Sequence, residues 1–260
     1  MSLTTGRAPL SPNPAGSFYP PVPAAVVYVE PFLRRVRGFV GAHTVIDSER
    51  VVLVHRAGHP PAYAFPAGDV RNLPATPEPA ARGYVRVPWD SVTAWFEEEE
   101  EVFGGHPRNP YHRIDCVRAQ RRLRVEVGST LLVDTSDVIS LYETSRSPQL
   151  YARPEAVRMD LLVASATVTY CPYKGTATHW SARVDGKIVL DVAWSYDDPL
   201  PESAPIAGLL GFYPERTKMV HDVLTWFEVP PVTYPAAESS ARTVGVAEVP
   251  RHPDHTRSHG

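Results

Sequence analysis

The chain has few cysteines and no long apolar run. Cys116 and Cys171 are its only cysteines, and neither belongs to a Cys-x-x-Cys pair. Two cysteines cannot supply a four-thiolate zinc site, and no stretch reaches the roughly 20 apolar residues that a membrane-spanning helix needs. The amino terminus also lacks a basic region followed by an apolar stretch. These absences predict a cytoplasmic protein with two free thiols.

The chain also lacks an excess of one charge. Its net charge is -3 and its pI is about 6.4, which gives no electrostatic reason to expect a nucleic-acid or membrane partner. The glycines in Val40–His43 and Phe103–His106 lack the spacing of a phosphate-binding loop. No two-histidine helical spacing indicates a metal site. No cofactor and no metal are expected, and a homodimer is left open.

Prolines are present in excess. The 28 prolines gather at the ends and joints of the chain, which excludes long helices. Residues 1–29 are expected to be a flexible proline-rich lead-in and residues 231–260 a disordered tail. Between them, Leu123, Val125 and Val127 alternate with charged residues, as in half-buried strands. The sequence predicts a mainly β protein.

An internal repeat organises the chain. Residues 34–71 recur 87 positions later as residues 121–158, and a one-residue slip after the prolines also aligns Tyr63 with Tyr151 and Pro66 with Pro154. The repeat predicts two small tandem β domains, residues 30–116 and 117–230, whose repeated segments form the same strands. Ten of the 38 aligned pairs are identical: Arg34/Arg121, Arg35/Arg122, Arg37/Arg124, Val40/Val127, Gly41/Gly128, Asp47/Asp134, Val51/Val138, Pro61/Pro148, Val70/Val157 and Arg71/Arg158.

A β-hairpin is predicted around Asp185-Gly186, which suits a two-residue turn with Val184 opposite Lys187. This register divides the hairpin residues between two faces. The predicted core face carries Trp180, Ala182, Val184, Val189 and Ala193. The opposite face carries Ala177, His179, Ser181, Ile188, Leu190, Val192, Trp194 and Tyr196.

The most distinctive string is Cys171-Pro172-Tyr173-Lys174-Gly175-Thr176-Ala177, followed by Trp194-Ser195-Tyr196-Asp197-Asp198-Pro199. These two strings resemble the signature of the family known as domain of unknown function 427 (DUF427), some of whose members are labelled nucleotidyltransferases. The tandem form of that family is similar to this chain over about residues 30 to 225. Further motifs carry the likeness: Trp95–Glu101, His106–Asp115, Leu141–Thr144 and Phe212–Glu215.

The resemblance implies a compact fold similar to the β-tent of the Mss4 and cereblon ligand-binding domains, without their zinc. It implies no reaction, and the chain lacks the Gly-Ser and paired-Asp metal motifs that nucleotide transfer would require. Two departures from the family pattern are His179, where an aromatic residue is common, and Asn109, where Asp is usual.

The residues of the distinctive string predict a small-molecule site in the second copy. Gly175 lets the backbone bend so that Cys171 and Lys174 line one cavity, where the ammonium would lower the thiol pKa and His179 would exchange protons. The expected ligand-binding residues are Tyr151, Tyr173, Trp194, Tyr196, Glu143 and Arg158. The alternative is structural: a buried Cys171, an ion-paired Lys174 and aromatic residues that belong to the core.

Three functions therefore stay open. An enzyme would use Lys174 as anchor or general acid and Cys171 or His179 as nucleophile or proton acceptor. A binding module would need only the aromatic walls and Lys174, whereas an assembly protein would have a filled pocket. A concave pocket that touches both Lys174 and Trp194 favours the first two. Lys174→Met is expected to change stability by less than ~1 kcal/mol.

The first copy lacks the distinctive string, and its tentative counterpart is Trp95-Phe96 with the run Glu97–Glu101. Most of these carboxylates are expected to face water or basic partners such as Arg108 and Arg113. The alternative places one or two of them in a pocket with His106 and His112, as an acid/base pair or a metal site.

Overall fold

A computed structural model describes residues 3–18 and 26–225. The predicted tail, residues 231–260, and part of the lead-in lie outside these ranges. The described chain is mainly β, as predicted, and its helices are short 3-10 turns at Ala67–Asp69, Trp89–Ser91, Pro154–Ala156, Met159–Leu161 and Pro201–Ile206. No helix in the described ranges has the length and apolar character needed to cross a membrane.

The described strands form three antiparallel sheets. The first half contains β1 (Val27–Phe32), β2 (Val36–Val40), β3 (His43–Ser48), β4 (Val51–Arg56), β5 (Ala62–Pro66), β6 (Thr76–Pro77), β7 (Tyr84–Arg86), β8 (Ala94–Glu97) and β9 (Glu100–Glu101). The second half contains β10 (Ile114–Val127), β11 (Thr130–Glu143), β12 (Gln149–Ala152), β13 (Leu162–Cys171), β14 (Gly175–Val184), β15 (Lys187–Ser195), β16 (Leu210–Phe212) and β17 (Lys218–His221). The sheet orders are β1-β4-β5-β7-β6, β3-β2-β8-β9 and β13-β14-β15-β16-β12-β11-β10-β17.

The two halves pair their strands in the same register. Val36 lies opposite Ser48 in the first half, and Leu123 lies opposite Thr135 in the second, each 87 positions later. The same shift relates β1–β4 to β10–β11 and β4–β5 to β11–β12, so that Val27 opposite Arg56 becomes Ile114 opposite Glu143. The bulge after Gly38 recurs after Val125. The shared register therefore begins at residues 27 and 114, earlier than the repeated sequence segments.

The two halves also share side-chain ion pairs and turn geometry. Arg35 forms a two-pronged ion pair with Asp47, and Arg122 forms one with Asp134. The hairpin turns at Gly41 and Gly128 have φ of 57° and 60°, a left-handed conformation that favours glycine. Isolated bridges link Ile46 to Val70 and Val133 to Val157. Most residues that are identical between the two segments thus have an identifiable structural task.

Two details of the sequence alignment are wrong. The one-residue slip does not occur, because Ala64 rather than Tyr63 takes the place that corresponds to Tyr151. The expected boundary after residue 116 also falls inside the continuous strand β10, and the described residues form one compact unit.

The counterpart proposed for the distinctive string is also wrong. Trp95 pairs with Gly38 on β2, whereas Met219 of β17 pairs with Val125 on β10. Trp95 therefore corresponds to Met219. Between β12 and β16 the second half instead contains additional antiparallel strands, namely β13, β14 and most of β15. These inserted strands include the Cys171–Gly175 turn, which joins β13 to β14.

The predicted hairpin is confirmed at its turn, where Val184 lies opposite Lys187 and Asp185 and Gly186 have positive φ. Further along, Trp180 pairs with Ala193 while Ala182 pairs with Val189, because a bulge at Asp191, with φ of 50°, inserts extra residues. The expected core face is buried as predicted, but the bulge also turns Val192 into that core.

The amino-terminal segment is packed rather than flexible over residues 3–18. Thr4 and Ala8 are fully buried, Thr4 Oγ1 donates to the His59 carbonyl at 3.0 Å, and the Gly58 N–H donates to the Thr4 carbonyl at 2.6 Å. The predicted flexibility of the lead-in was wrong for these residues, because they form turns, and turns have no periodic hydrophobic pattern that would indicate packing. The composition of a segment does not show whether residues about 50 positions away will pack against it.

Removing residues 1–10 is expected to lower the melting temperature by roughly 2 to 4 °C, because the deletion removes the two hydrogen bonds of Thr4 and the buried Thr4 and Ala8 side chains, which together contribute about 1 kcal/mol after the cost of ordering the segment. Thr4→Ala should reproduce part of this loss in differential scanning calorimetry. Ser17→Ala, at an exposed position of the same segment, is the control. Equal melting temperatures for the deletion and the full chain would show that the segment contributes nothing.

Candidate functional site

A cavity of about 730 Å³ opens where the inserted strands meet β11 and β12. Its volume lies in the range of small-molecule sites. It touches both Lys174 and Trp194, and six predicted site residues line it: Glu143, Tyr151, Cys171, Lys174, Trp194 and Tyr196. Other lining residues include Arg146, Ser147, Gln149, Thr169, Tyr213 and Glu215.

Lys174 reaches the cavity from a tight turn. The Lys174 N–H donates to the Cys171 carbonyl at 3.3 Å, and Gly175 follows with φ of 93°, a conformation that side chains other than glycine rarely adopt. The Lys174 Nζ lies 2.6 Å from Glu143 Oε2, and the two side chains are only 11% and 10% exposed. Lys174 is therefore one half of a buried ion pair, and Lys174→Met is expected to destabilise the protein more than the sequence predicted.

Glu143 is the centre of the polar side of the cavity. Its other oxygen, Oε1, lies 3.1 Å from His112 Nε2 and 3.6 Å from Arg146 Nε. Burial opposes ionisation, but the contact with His112 and the charge of Lys174 outweigh it and lower the pKa of Glu143 to about 2. The carboxylate stays charged at neutral pH, so Glu143 acts as a hydrogen-bond acceptor rather than an acid.

Aromatic rings form the opposite wall. Trp194 Nε1 donates to the Tyr151 hydroxyl at 3.1 Å, and the Trp194 ring also packs on Tyr213 with centroids 4.4 Å apart. Burial raises the pKa of Tyr151 and Tyr196, so both phenols keep their protons. Because the Tyr151 oxygen accepts from Trp194, its own O–H is left as a donor toward a ligand.

Both thiols are free, and both pack against the apolar cluster around Tyr151. Cys171 lines the cavity. Cys116 does not line it, and its Sγ lies 3.9 Å from the Glu202 carbonyl. Burial raises the pKa of Cys116, which disfavours its thiolate.

Three predicted site residues lie outside the cavity. His179 is buried behind Tyr213, with Nδ1 3.2 Å from the Thr167 carbonyl and Nε2 3.1 Å from the Tyr213 hydroxyl. Since a carbonyl only accepts, Nδ1 carries the proton and Nε2 accepts from Tyr213. Both nitrogens are occupied, and His179 does not line the cavity that Lys174 and Cys171 share.

Tyr173 and Arg158 are the other two. Tyr173 stacks on His112 with ring centroids 3.6 Å apart and accepts the Asn109 N–H at 2.9 Å, so it supports the site from behind. Burial raises its pKa to about 12. Arg158 is half exposed and pairs with Asp160 at 2.6 Å. It corresponds to Arg71 of the first half, and the two make the same backbone hydrogen bond, Arg71 N–H to the Val45 carbonyl and Arg158 N–H to the Leu132 carbonyl.

Sequence reasoning missed His112, Arg146 and Tyr213 as parts of the site. His112 and Tyr213 lie in motifs already noted for the family resemblance, and that was the available signal. Arg146 lies in a loop without any pattern. All three approach the cavity through contacts that strand pairing alone does not specify.

The glutamate run is mostly paired at the surface, as expected for Glu99 with Arg37 and Glu100 with Arg108. Glu97 is the exception, because it is buried and accepts the Tyr63 hydroxyl at 2.6 Å. Arg113 pairs with Asp115 instead of the run. Within residues 3–18 and 26–225, no group of three His, Cys, Asp or Glu side chains has the arrangement of a metal site.

No curated protein matches the chain. Residues 115–223, which contain β11, β12, the inserted strands and most of the cavity residues, match the family described as a domain of unknown function (DUF427).

Proposed function

We propose that the second half of the protein binds a neutral, planar organic molecule in the 730 Å³ cavity. The observation that carries this proposal is a concave cavity shared by the Lys174–Glu143 ion pair and the aromatic wall. Apolar walls with a few convergent polar groups are the usual construction of a small-molecule site. An open cavity of this size also weighs against the assembly-protein alternative, which needs the space to be filled.

The charges in the cavity favour a neutral ligand. Lys174 and Arg146 are balanced by Glu143 and Glu215 among the lining residues. The ammonium and the carboxylate lie 2.6 Å apart and offer a donor beside an acceptor. A carboxamide or a related group matches this pair, because its oxygen accepts from Nζ while its N–H donates to a carboxylate oxygen.

The same proposal extends to the architecture. A tandem two-copy form of the DUF427 family is supported by the shared strand registers, the shared bulge and the shared Arg–Asp pairs. The β-tent-like fold of each half is proposed from the family resemblance alone. The second copy then differs by the insertion that builds the cavity. The catalytic alternative has less support, because both nitrogens of His179 are bonded to other groups and His179 does not line the cavity. Of the two predicted proton acceptors, only Cys171 lies on the cavity wall.

The test uses 4-(trifluoromethyl)benzamide as probe, observed by ¹⁹F NMR titration. Ser147 lies exposed at the cavity rim, so Ser147→Trp should block entry without touching the buried ion pair, and should weaken binding by at least about tenfold, ~1.4 kcal/mol. Ser136→Trp, at an exposed site away from the cavity, is the matched control. Equal affinities of the two variants, or no saturable binding to the natural chain, would contradict the proposal.

A further inference from the structure

A second cavity, of about 400 Å³, lies in the first half of the chain. The shared register relates it to the first one. Arg56, His59, Pro60 and Ala62 line it, and their counterparts 87 positions later, Glu143, Arg146, Ser147 and Gln149, line the larger cavity. The two cavities therefore occupy equivalent places, but the charged residue at the strand end is reversed from glutamate to arginine.

The cation of this smaller cavity is a pair of guanidinium groups. Arg56 and Arg86 both form ion pairs with Glu78, whose side chain is fully buried, while their own side chains are 27% and 40% exposed. Burial opposes ionisation of Glu78, but the Ala80 N–H and Arg56 outweigh it, so its pKa is lowered and it carries one negative charge. Two cations on one anion leave a net positive charge at the cavity, and no carboxylate occurs among its lining residues.

Aromatic rings form another part of the wall. Trp89 and Trp95 stack with centroids 5.1 Å apart, and Tyr63 stacks on Trp89 at 6.2 Å. Trp95 Nε1 donates to the Trp89 carbonyl at 3.1 Å, which fixes the two indoles relative to each other. Tyr63 and Trp95 are buried in the core, whereas Trp89 is only partly buried, so the Trp89 indole is the ring on which a ligand can stack.

His106 adds no charge to this wall. Burial lowers the pKa of His106, and its Nδ1 lies 2.7 Å from the Pro107 carbonyl, so the ring is neutral and Nδ1 carries the proton. The positive charge of the cavity therefore comes from the arginine pair.

We infer that this first-half cavity is a second binding site, for a planar aromatic carboxylate, with the ring against the partly exposed Trp89 indole and the carboxylate on Arg56 and Arg86. A carboxylate accepts two parallel hydrogen bonds from a guanidinium, and this geometry selects it over a neutral amide. The two halves would then separate ligands by charge, with neutral molecules in the second half and anions in the first.

The test uses 4-(trifluoromethyl)benzoate, which has the same ring as the benzamide probe and differs in charge. Arg86→Met keeps the aliphatic stem and leaves Glu78 paired with Arg56, so the chain is expected to fold and to bind benzoate at least about tenfold more weakly. Arg86→Lys should recover part of the affinity, and Arg82→Met, an exposed arginine outside the cavity, is the matched control. Trp89→Leu should also weaken benzoate binding, by loss of the stacking face.

Benzamide binding gives the independent readout, because Arg86→Met should change it less than threefold. Benzoate affinity that is equal in Arg86→Met and Arg82→Met would overturn the inference. So would a benzoate signal that is lost in Ser147→Trp, since the anion would then occupy the second-half cavity. Each of these results can occur whether or not the benzamide proposal holds, so the two failures are distinguishable.

Discussion

Lys174→Met is expected to lower the free energy of unfolding by about 2 to 3 kcal/mol at pH 7. Removing one partner of a buried ion pair leaves the other charge buried and poorly compensated, which typically costs 3 to 5 kcal/mol. The cost here is smaller because Glu143 keeps His112 and Arg146 within 3.6 Å. Urea unfolding followed by circular dichroism measures the difference. This value replaces the loss of less than ~1 kcal/mol expected from sequence.

A matched lysine and a double variant make the experiment specific. Lys218 pairs with Glu126 at 3.2 Å but is 73% exposed, so Lys218→Met should cost less than about 0.5 kcal/mol. Adding Glu143→Gln to Lys174→Met should recover at least half of the loss, since the unpaired charge is then gone. Additive effects of the two substitutions would show that the side chains are not coupled.

The same ion pair sets the acid sensitivity of the protein. The folded pKa of Glu143 is about 2, below the ordinary unfolded value of about 4.3. A depressed carboxyl pKa stabilises the fold above about pH 4.3, and that stability, of order 3 kcal/mol, is lost as the pH falls toward 2. The variant Lys174→Met should show a shallower loss between pH 4.5 and 2.5. Parallel pH profiles for variant and natural chain would contradict this assignment.

Gly211→Ala is expected to cost about 2 to 3 kcal/mol and to distort the aromatic wall. A Cβ at this position would lie 2.6 Å from Trp194 Cζ2 and 2.7 Å from Trp194 Cε2, inside any real contact distance. The indole cannot simply rotate away, because its N–H is bonded to Tyr151. Overpacking of this kind typically costs 1 to 3 kcal/mol. Benzamide affinity should fall together with the melting temperature.

Gly68→Ala is the control, because nothing lies within 4 Å of a Cβ added there and its φ is not in the left-handed region. The first half is consistent with this steric argument, because a larger residue is accommodated where no tryptophan lies opposite. Arg86 occupies the place of Gly211, and its strand partner is Thr76 rather than a tryptophan. If Gly211→Ala proves as stable as Gly68→Ala, the close packing of Trp194 on β16 is not rigid.

The sequence by itself determined the periodic features of this protein. Alternation specified the strands around Leu123–Val127, Asp185-Gly186 specified its hairpin turn, and the recurring Arg35–Asp47 and Arg122–Asp134 pairs marked equivalent strand pairings. These features follow from neighbours along one strand or across one turn. The string Cys171–Gly175 also placed Lys174 and Cys171 beside one cavity, because the turn is local.

Only the tertiary structure decided which long-range partners these residues take. The bulge at Asp191 redirected Val192, and the burial of His179 behind Tyr213 removed it from the cavity wall. Lys174 received Glu143 as a partner 31 positions away, and Arg56 came to occupy the place of Glu143 in an equivalent cavity. Such contacts form only when the whole sheet brings distant strands together. The periodicity along the chain therefore does not predict them.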